Sequence, residues 1–570
     1  MRLVDSLTRF FQGLRLPAVA RGKILLVLPR AHSLRLRRAA RRHFGWRRLR
    51  TGQLTAMRAV LRRHDALVVL PTGHGKSAVY QVPTTILTGP TVVISPLLAL
   101  QQDQIASLAS RADPRLHGVR VASAQTVAQQ AAALEEVRTG RARFLFITPE
   151  QLCRPDRLAE VAALKPTLVA VDEAHCVSAW GHDFRPDYLQ LGHLIRELGR
   201  PPVVALTATA SPPVREDIVA RLGLRDPVEV VAGLDRPNLT LSALHCASEE
   251  VRWQRLCSVL EQVPVPGIVY VPTRRGAEEL TERLRGAGVD AREYHGGMAA
   301  GERTRRHEDF LADRVPVMVA TSAFGMGIDK PNIRFVIHAA LPDSPDSYLQ
   351  EVGRAGRDGQ PAQAVLLHRG EDVALQRYFT GGAPDVDDLC RLAAALREEP
   401  ATKADAARRT GLGPRKLAQL LSLLEQVGGA VRGSRGRWAA PRYAPEPAEL
   451  ARLARDEAER HQGVARSRTD MMRHLAETTS CRTRVLLAYF GEHQRGSCGH
   501  CDNCLAGTAA ASAPQVTGPY PVHSAVRHPE WGSGMVLSYD GDRMVVLFDD
   551  VGYKTLSVPV VREQGLLAPA

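Results

Sequence analysis

Lysine is nearly missing from this chain. Of 75 basic residues among 570, seven are Lys and the rest Arg, a bias that a GC-rich bacterial coding sequence produces. Aromatic residues make up 5% of the chain, so a Trp or Phe in a loop needs a reason to be there. No apolar run approaches the roughly 18 residues of a membrane-spanning helix. The longest near the start, Ile24–Leu28, is too short for the core of a secretion signal. Nine Cys, five of them scattered, do not make a disulfide framework; the other four cluster near the C-terminus. These absences set aside membrane proteins and disulfide scaffolds. What remains is the 44% apolar, 24% charged balance of an ordinary globular chain, long enough for several domains and expected to be cytoplasmic.

The positive charge is local. Of a net +15, residues 1–43 contribute +10, with ten Arg and one Lys against one Asp. The pI therefore says little about the folded body. This extension has no clear capping pattern and is expected to be a disordered tail or the product of a start codon assigned too early, with a mitochondrial-type presequence as the alternative.

Residues 70–77, LPTGHGKS, follow the apolar run Ala66–Leu70. Gly73 and Gly75 allow a turn whose N–H groups surround phosphate oxygens, together with Thr72 and His74. Lys76 can reach the β/γ-phosphates and the Ser77 hydroxyl can ligate Mg²⁺. The strict P-loop pattern wants Gly where Leu70 stands. Upstream, Gln53 can pair with an adenine edge, and Trp46 and Arg50 offer an aromatic face and a planar cation for stacking.

Strands are expected at Thr91–Ser95, Phe144–Thr148, Leu168–Val171 and Val203–Leu206. The third ends in Asp172-Glu173-Ala174-His175, which sets two carboxylates at the carboxyl edge of a parallel sheet, where open α/β folds bind ligands. Asp172 is the expected Mg²⁺ partner, and Glu173 the residue that orients or deprotonates water. A second α/β pattern begins near Gly233, with strands at Ile268–Val271, Val317–Thr321 and Val336–His338 and no second P-loop. It carries QEVGRAGRDG, in which Arg354 and Arg357 could meet a γ-phosphate arriving from the first domain. Cys481, Cys498, Cys501 and Cys504 have the spacing C-x₁₆-C-x₂-C-x₂-C, which suits a closed structural Zn²⁺ site, with His500 as a bystander.

Taken together, FGWRRLRTGQ, PTGHGKS, VVISPLLALQQDQ, DEAHCVSAWGHDFRPDY, ALTATA, ATSAFGMGIDKPNIRFVIH and QEVGRAGRDG resemble superfamily 2 helicases and, within them, the RecQ family, over about residues 44–370. The resemblance implies that Gln53 reads adenine with Trp46 and Arg50 around it, that Asp329 touches the ribose, and that Arg357 is an arginine finger with Arg354 beside it. It implies that Trp180, His182, Phe184 and Arg185 form the aromatic-rich loop coupling single-strand contact to hydrolysis; stacking on each base is worth about 1–3 kcal/mol. It also explains Leu70, since helicases of this kind lack the first Gly. CRTRVLLAYFGE looks like the start of the RecQ zinc module.

The chain departs from the family after the motor. About 120 residues separate QEVGRAGRDG from Cys481. Three helices (387–396, 403–409, 414–427) and RGSRGRW look like a winged helix placed before the zinc module, with a helical spacer as the alternative. The C-terminal stretch resembles the small Tudor-like barrel of UvrD-type helicases, a protein-docking module there, including for RNA polymerase. The expected class is α/β: extension 1–43, RecA-like domains 44–232 and 233–380, winged helix 381–445, zinc module 446–507, linker 508–520 and β domain 521–570. The expected activity is an ATP-dependent 3′→5′ DNA helicase of a bacterial nucleoid acting in repair or recombination, using ATP, Mg²⁺ and Zn²⁺ on single-stranded, duplex or forked DNA, with RNA polymerase or a repair protein as candidate partner. An RNA helicase on the same motor, or a winged-helix regulator with an inactive motor, are the rival readings.

Overall fold

The structure is a computed structural model that describes residues 18–570 apart from 112, 179–184, 232, 326, 327, 329, 434, 435, 493, 495, 512–517 and 523. Trp180, His182, Phe184 and Asp329 therefore lie outside the described residues.

Seven strands, β1 (Ala66–Val69), β2 (Thr91–Ile94), β3 (Gly118–Val121), β4 (Phe144–Ile147), β5 (Leu168–Val171), β6 (Val203–Thr207) and β7 (Val228–Val231), form the first sheet in the order β3-β4-β2-β5-β6-β1-β7. All neighbours are parallel. The central strands are buried throughout because helices cover both faces, so they read as unbroken apolar runs. Along β1 the faces alternate: Leu67 and Val69 join one core and Ala66 and Val68 the other. The edge strands β3 (GVRV) and β7 (VEVV) were not expected, because their charged residues break the apolar run.

The second sheet is also parallel. It holds β8 (Leu239–His245), β9 (Gly267–Tyr270), β10 (Ala291–Tyr294), β11 (Val317–Ala320), β12 (Phe335–His338) and β13 (Ala362–His368), in the order β10-β11-β9-β12-β13-β8.

Helices Val386–Glu398, Lys403–Thr410 and Pro414–Gln426 follow, each opened by a turn residue suited to the place. Asp385 and Thr402 cap with side-chain oxygens, and Pro414 occupies a first-turn position. Antiparallel β14 (Val431–Arg432) and β15 (Trp438–Ala439) come next, with Trp438 also bridging Ala401. The three helices and the hairpin close one leucine-rich core with the start of a 31-residue helix, Pro447–Glu477. That helix leads into Arg482–Tyr489 and the cysteine cluster.

The C-terminal sheet is antiparallel, in the order β19-β18-β17-β16-β20: β16 (Ala525–His528), β17 (Gly532–Asp540), β18 (Arg543–Phe548), β19 (Gly552–Ser557) and β20 (Ala568–Pro569). A short helix, Val558–Gln564, follows β19. This sheet is not held only by a linker. Met544, Val546 and Phe548 fill its own core, while Val545, Leu547 and Tyr553 join the core shared by the second motor sheet and the zinc module. Asp540 in its hairpin takes hydrogen bonds from Thr478 at 3.0 Å and from Ser480.

From residue 18 onward the basic extension departs from the expectation of a disordered tail; residues 1–17 lie outside the described residues. A helix runs over Ala18–Phe44, and Leu36, Ala39, Ala40 and Phe44 are buried against the first domain. Apolar residues at i, i+3, i+4 and i+8 were present in the sequence, but dense Arg masked them.

Candidate active site and zinc module

The loop after β1 turns at Gly73 (φ +77°) and Gly75 (φ +69°), a backbone region open to glycine at little cost. Leu70 is 4% exposed and its N–H donates to the Thr207 carbonyl at 3.2 Å, so the position that departs from the strict P-loop serves packing. Lys76 folds back, its Nζ donating to the Leu70 carbonyl at 3.2 Å. Burial lowers its pKa, while Glu173 and Asp172 act in the opposite sense. Ser77 precedes the helix Ala78–Thr84.

Asp172 and Glu173 follow β5. Burial, then the neighbouring Glu173, raises the Asp172 pKa, with Lys76 opposing. Glu173 is a non-glycine residue at φ +48°, a strained backbone of the sort found at working sites. Its carboxylate lies 3.3 Å from His175 Nδ1, which is 3.0 Å from Thr207 Oγ1; that hydroxyl donates to the Thr209 carbonyl at 2.9 Å. A continuous polar chain thus joins the acidic pair to ALTATA. The Tyr188 hydroxyl donates to the Asp172 carbonyl at 3.1 Å, which anchors the far end of the segment containing Trp180. Arg185 donates to the Pro96 carbonyl at 3.4 Å.

The second domain supplies the other wall. A Cβ built on Gly73 would lie 3.2 Å from Arg357 Cγ and Cδ, so the arginine stem lies directly against the phosphate loop. Arg357 Nη1 donates to the Ile328 carbonyl at 2.7 Å. Arg354 is 3% exposed, and both arginines act electrostatically on Lys76. The structure therefore brings Lys76, Asp172, Glu173, Arg354 and Arg357 to one cleft.

The residues expected beside the base also have partners within the protein. Gln53 Nε2 donates to the carbonyls of His74 (2.9 Å) and Gly75 (3.0 Å), and its Oε1 accepts from Arg50 N–H at 3.0 Å. Its amide thus helps to shape the loop. Trp46 stacks on Phe44 at 4.5 Å with Arg111 near both rings, so its ring is tied to the N-terminal helix. Arg50 lies near His74: burial, then Arg50, depresses the His74 pKa to about 4.

One pair was missed by sequence reasoning. Arg236 donates to the carbonyls of Ala355 (2.9 Å) and Gly356 (2.7 Å). Asn238 donates to Gly356 (2.9 Å) and Gln360 (2.8 Å). Gly356 has φ +59°, and a Cβ there would lie 2.5 Å from Asn238 Nδ2. Arg236 and Asn238 therefore clamp the turn that carries Arg354 and Arg357. The sequence signal was RPN just after the domain junction, to which no role was assigned.

The sulfur atoms of Cys481, Cys498, Cys501 and Cys504 all lie within 4.8 Å of one another. Backbone N–H groups of Cys498 and Cys501 point at cluster sulfurs (3.3 and 3.2 Å). His500 turns its Nδ1 to the Cys498 carbonyl at 2.8 Å, away from a ligand role. Four converging thiolates with N–H support fit tetrahedral Zn²⁺. Arg482 grips Asp502 with two bonds of 2.9 Å, and Asp502 accepts from Ala243 N–H at 2.9 Å, fixing the cluster to edge strand β8.

Two parallel sheets facing across a cleft of Lys, paired acids and Arg define an ATP-driven motor of the DEAD/DEAH-box helicase class. Residues 50–218 match the DEAD/DEAH box helicase model, 252–359 the helicase conserved C-terminal domain, and 448–505 the RecQ zinc-binding domain. A "Probable ATP-dependent DNA helicase RecS" of Bacillus subtilis is 36% identical over 389 residues, 67% of this chain and 78% of that one. The "ATP-dependent DNA helicase RecQ" of Haemophilus influenzae is 36% identical over 465 residues, 81% of this chain and 62% of its own length. The RecQ of Bacillus subtilis is 41% identical over 339 residues, 59% of this chain and 56% of that one. The chain belongs to the RecQ family of ATP-dependent DNA helicases. No helix among the described residues is long and apolar enough to cross a membrane.

Proposed function

We propose that the chain is a DNA-stimulated ATPase that moves 3′→5′ along one strand and separates duplex DNA ahead of it. The carrying observation is Arg357, from the second domain, seated against Gly73 of the first. In this reading ATP lies on the loop 72–77. Lys76 and Arg357 stabilise charge developing on the γ-phosphoryl group, with Arg354 behind them. Glu173 orients the attacking water and takes its proton as the phosphoryl group passes to that water. The oxygens of Ser77 and Asp172 are hard donors suited to Mg²⁺, which when bound offsets phosphate charge. Gln53 and Arg50 hold the loop's base side. The chain Glu173–His175–Thr207–Thr209 gives the phosphate state a path toward the DNA-facing segment, where Trp180, His182, Phe184 and Arg185 are proposed to meet the single strand. Asp329 is proposed at the ribose.

The zinc module and winged helix are proposed to hold duplex DNA, and 521–570 to dock a protein on surface left free of the zinc module. The test compares ATPase stimulation by single-stranded DNA and RNA with strand displacement on 3′- and 5′-tailed duplexes. DNA stimulation with displacement from the 3′ tail is expected. Preference for RNA, or no stimulation at all, would reject the reading.

A further inference from the structure

The N-terminal helix carries charge for which the motor has no use. Its sequence, Ala18–Phe44, contains no acidic residue. At 100° per residue, Leu36, Ala39, Ala40 and His43 share one face, and that face is pinned to the first domain. The three apolar residues are at most 6% exposed, His43 pairs with Asp113, and Arg111 donates to the Phe44 carbonyl at 2.8 Å. The opposite face holds Arg35, Arg37, Arg38, Arg41 and Arg42, all exposed. Among the described residues the helix's one ion pair is His43–Asp113. Five guanidinium groups thus stand within eight residues, about 12 Å of a fixed helix, with no carboxylate paired to them among the described residues. The field extends to the next helix: the half-buried His32 has its pKa lowered by burial, then by Arg35, Arg62 and Arg58.

Such a ridge repels itself unless it meets a polyanion. Arg presents a planar fork that matches phosphate oxygens two at a time, which a Lys cannot do. The exposed face has no aromatic side chain, so it offers nothing for an unstacked base to lie on and reads phosphate alone. Duplex DNA presents the denser row of phosphates, one charge per roughly 1.7 Å of axis. We propose that this arginine ridge is a second DNA-binding surface, holding the phosphate backbone of duplex DNA independently of sequence and of the motor's single-strand path. The inference rests on the motor reading for the identity of the polyanion.

The test uses the full chain with Arg35, Arg38 and Arg42 changed to Gln, and a second variant with all five changed. Gln matches Arg in helix propensity and these side chains touch no core, so the melting temperature should hold. Affinity for a blunt duplex is measured by fluorescence anisotropy from 50 to 300 mM NaCl. The slope of log affinity against log salt should fall by about 0.9 for each phosphate that is no longer neutralised. The three-site variant should bind the duplex about tenfold or more weakly at low salt. Its kcat for ATP with a short single-stranded oligonucleotide should match wild type. Unchanged duplex affinity and slope in the five-site variant would overturn the proposal. So would retained duplex affinity together with abolished binding to phosphatidylglycerol vesicles, which would make the ridge a membrane-facing surface. Wild-type ATPase that no DNA stimulates would reject the motor reading separately, and the duplex slope would still decide the ridge.

Discussion

Asn238→Ala tests whether Arg357 works because its turn is held from behind. The substitution removes two donors, to the Gly356 carbonyl at 2.9 Å and the Gln360 carbonyl at 2.8 Å, and leaves the arginine itself intact. Each bond is worth about 0.5–1.5 kcal/mol net, so roughly 1–3 kcal/mol is at stake. If that energy holds Arg357 in its transition-state position, kcat falls by roughly 5- to 150-fold, at 1.36 kcal/mol per decade. This is well short of the 10³–10⁵ that loss of an arginine finger costs. The Michaelis constant for ATP should change little, because loop 72–77 belongs to the other domain. The assay is steady-state ATPase at saturating single-stranded DNA for Asn238→Ala, Arg357→Ala and the double variant. A turn that acts only through Arg357 predicts a double variant no slower than Arg357→Ala alone. Full activity in Asn238→Ala, or losses that simply add, would refute the positioning role.

Lys76→Ala and Glu173→Gln should each reduce turnover to background while DNA binding by anisotropy stays near wild type; appreciable turnover in either would reject their assignment. Cys501→Ser, or chelation of Zn²⁺, should unfold the zinc module and lower the stability of the second domain with it, because Cys481, Cys501, Leu486 and Phe490 belong to the same buried core as Ile268 and Val336. A calorimetric trace in which only a small separate transition disappears would contradict that shared core. His74 is held at about 4 by burial and Arg50, so it stays neutral when folded, whereas the unfolded chain takes up a proton near 6.5. Its contribution is therefore complete above pH 6.5 and is lost as pH falls toward 4. His74→Gln should flatten the decline of urea midpoints over that window; an unchanged decline would show that His74 does not titrate as inferred.

The chemistry was legible in the sequence because it is written in short segments at strand ends. TGHGKS and DEAH each follow a buried apolar strand, and parallel sheets gather the carboxyl ends of strands on one edge, whereas GRAGR follows the helix Pro345–Val352. The two arginines were matched to the distant loop through the family resemblance instead. Edge strands were illegible because GVRV, VEVV and AREY carry charge where central strands carry none. The role of Asn238 was hidden because an amide that ties down a turn looks in sequence like any loop Asn. The second role of Gln53 was hidden in a related way: an amide that suits an adenine edge also suits the two backbone carbonyls it meets.

The position of the zinc module has mechanical consequences for the cleft. Arg215 of the first domain donates to the Phe490 carbonyl at 3.3 Å, and the Tyr489 hydroxyl donates to Asp346 of the second at 2.6 Å. Neighbouring residues of one short helix thus reach both halves of the motor. Tyr489 also stacks on Tyr553 of the C-terminal sheet at 4.7 Å, so that sheet backs the same joint. The segment 386–439 meets the first domain. Gln190 donates to Glu425 at 3.1 Å and Arg432 lies 3.8 Å from Asp187, just past the segment that carries Trp180. With the segment 386–439 ahead of the zinc module, one connecting helix, Pro447–Glu477, links a segment that meets the first domain to a module that meets both. Any opening of the cleft must therefore work against the Phe490–Tyr489 joint. A substitution there should change the rate at which hydrolysis is coupled to movement without touching the phosphate site.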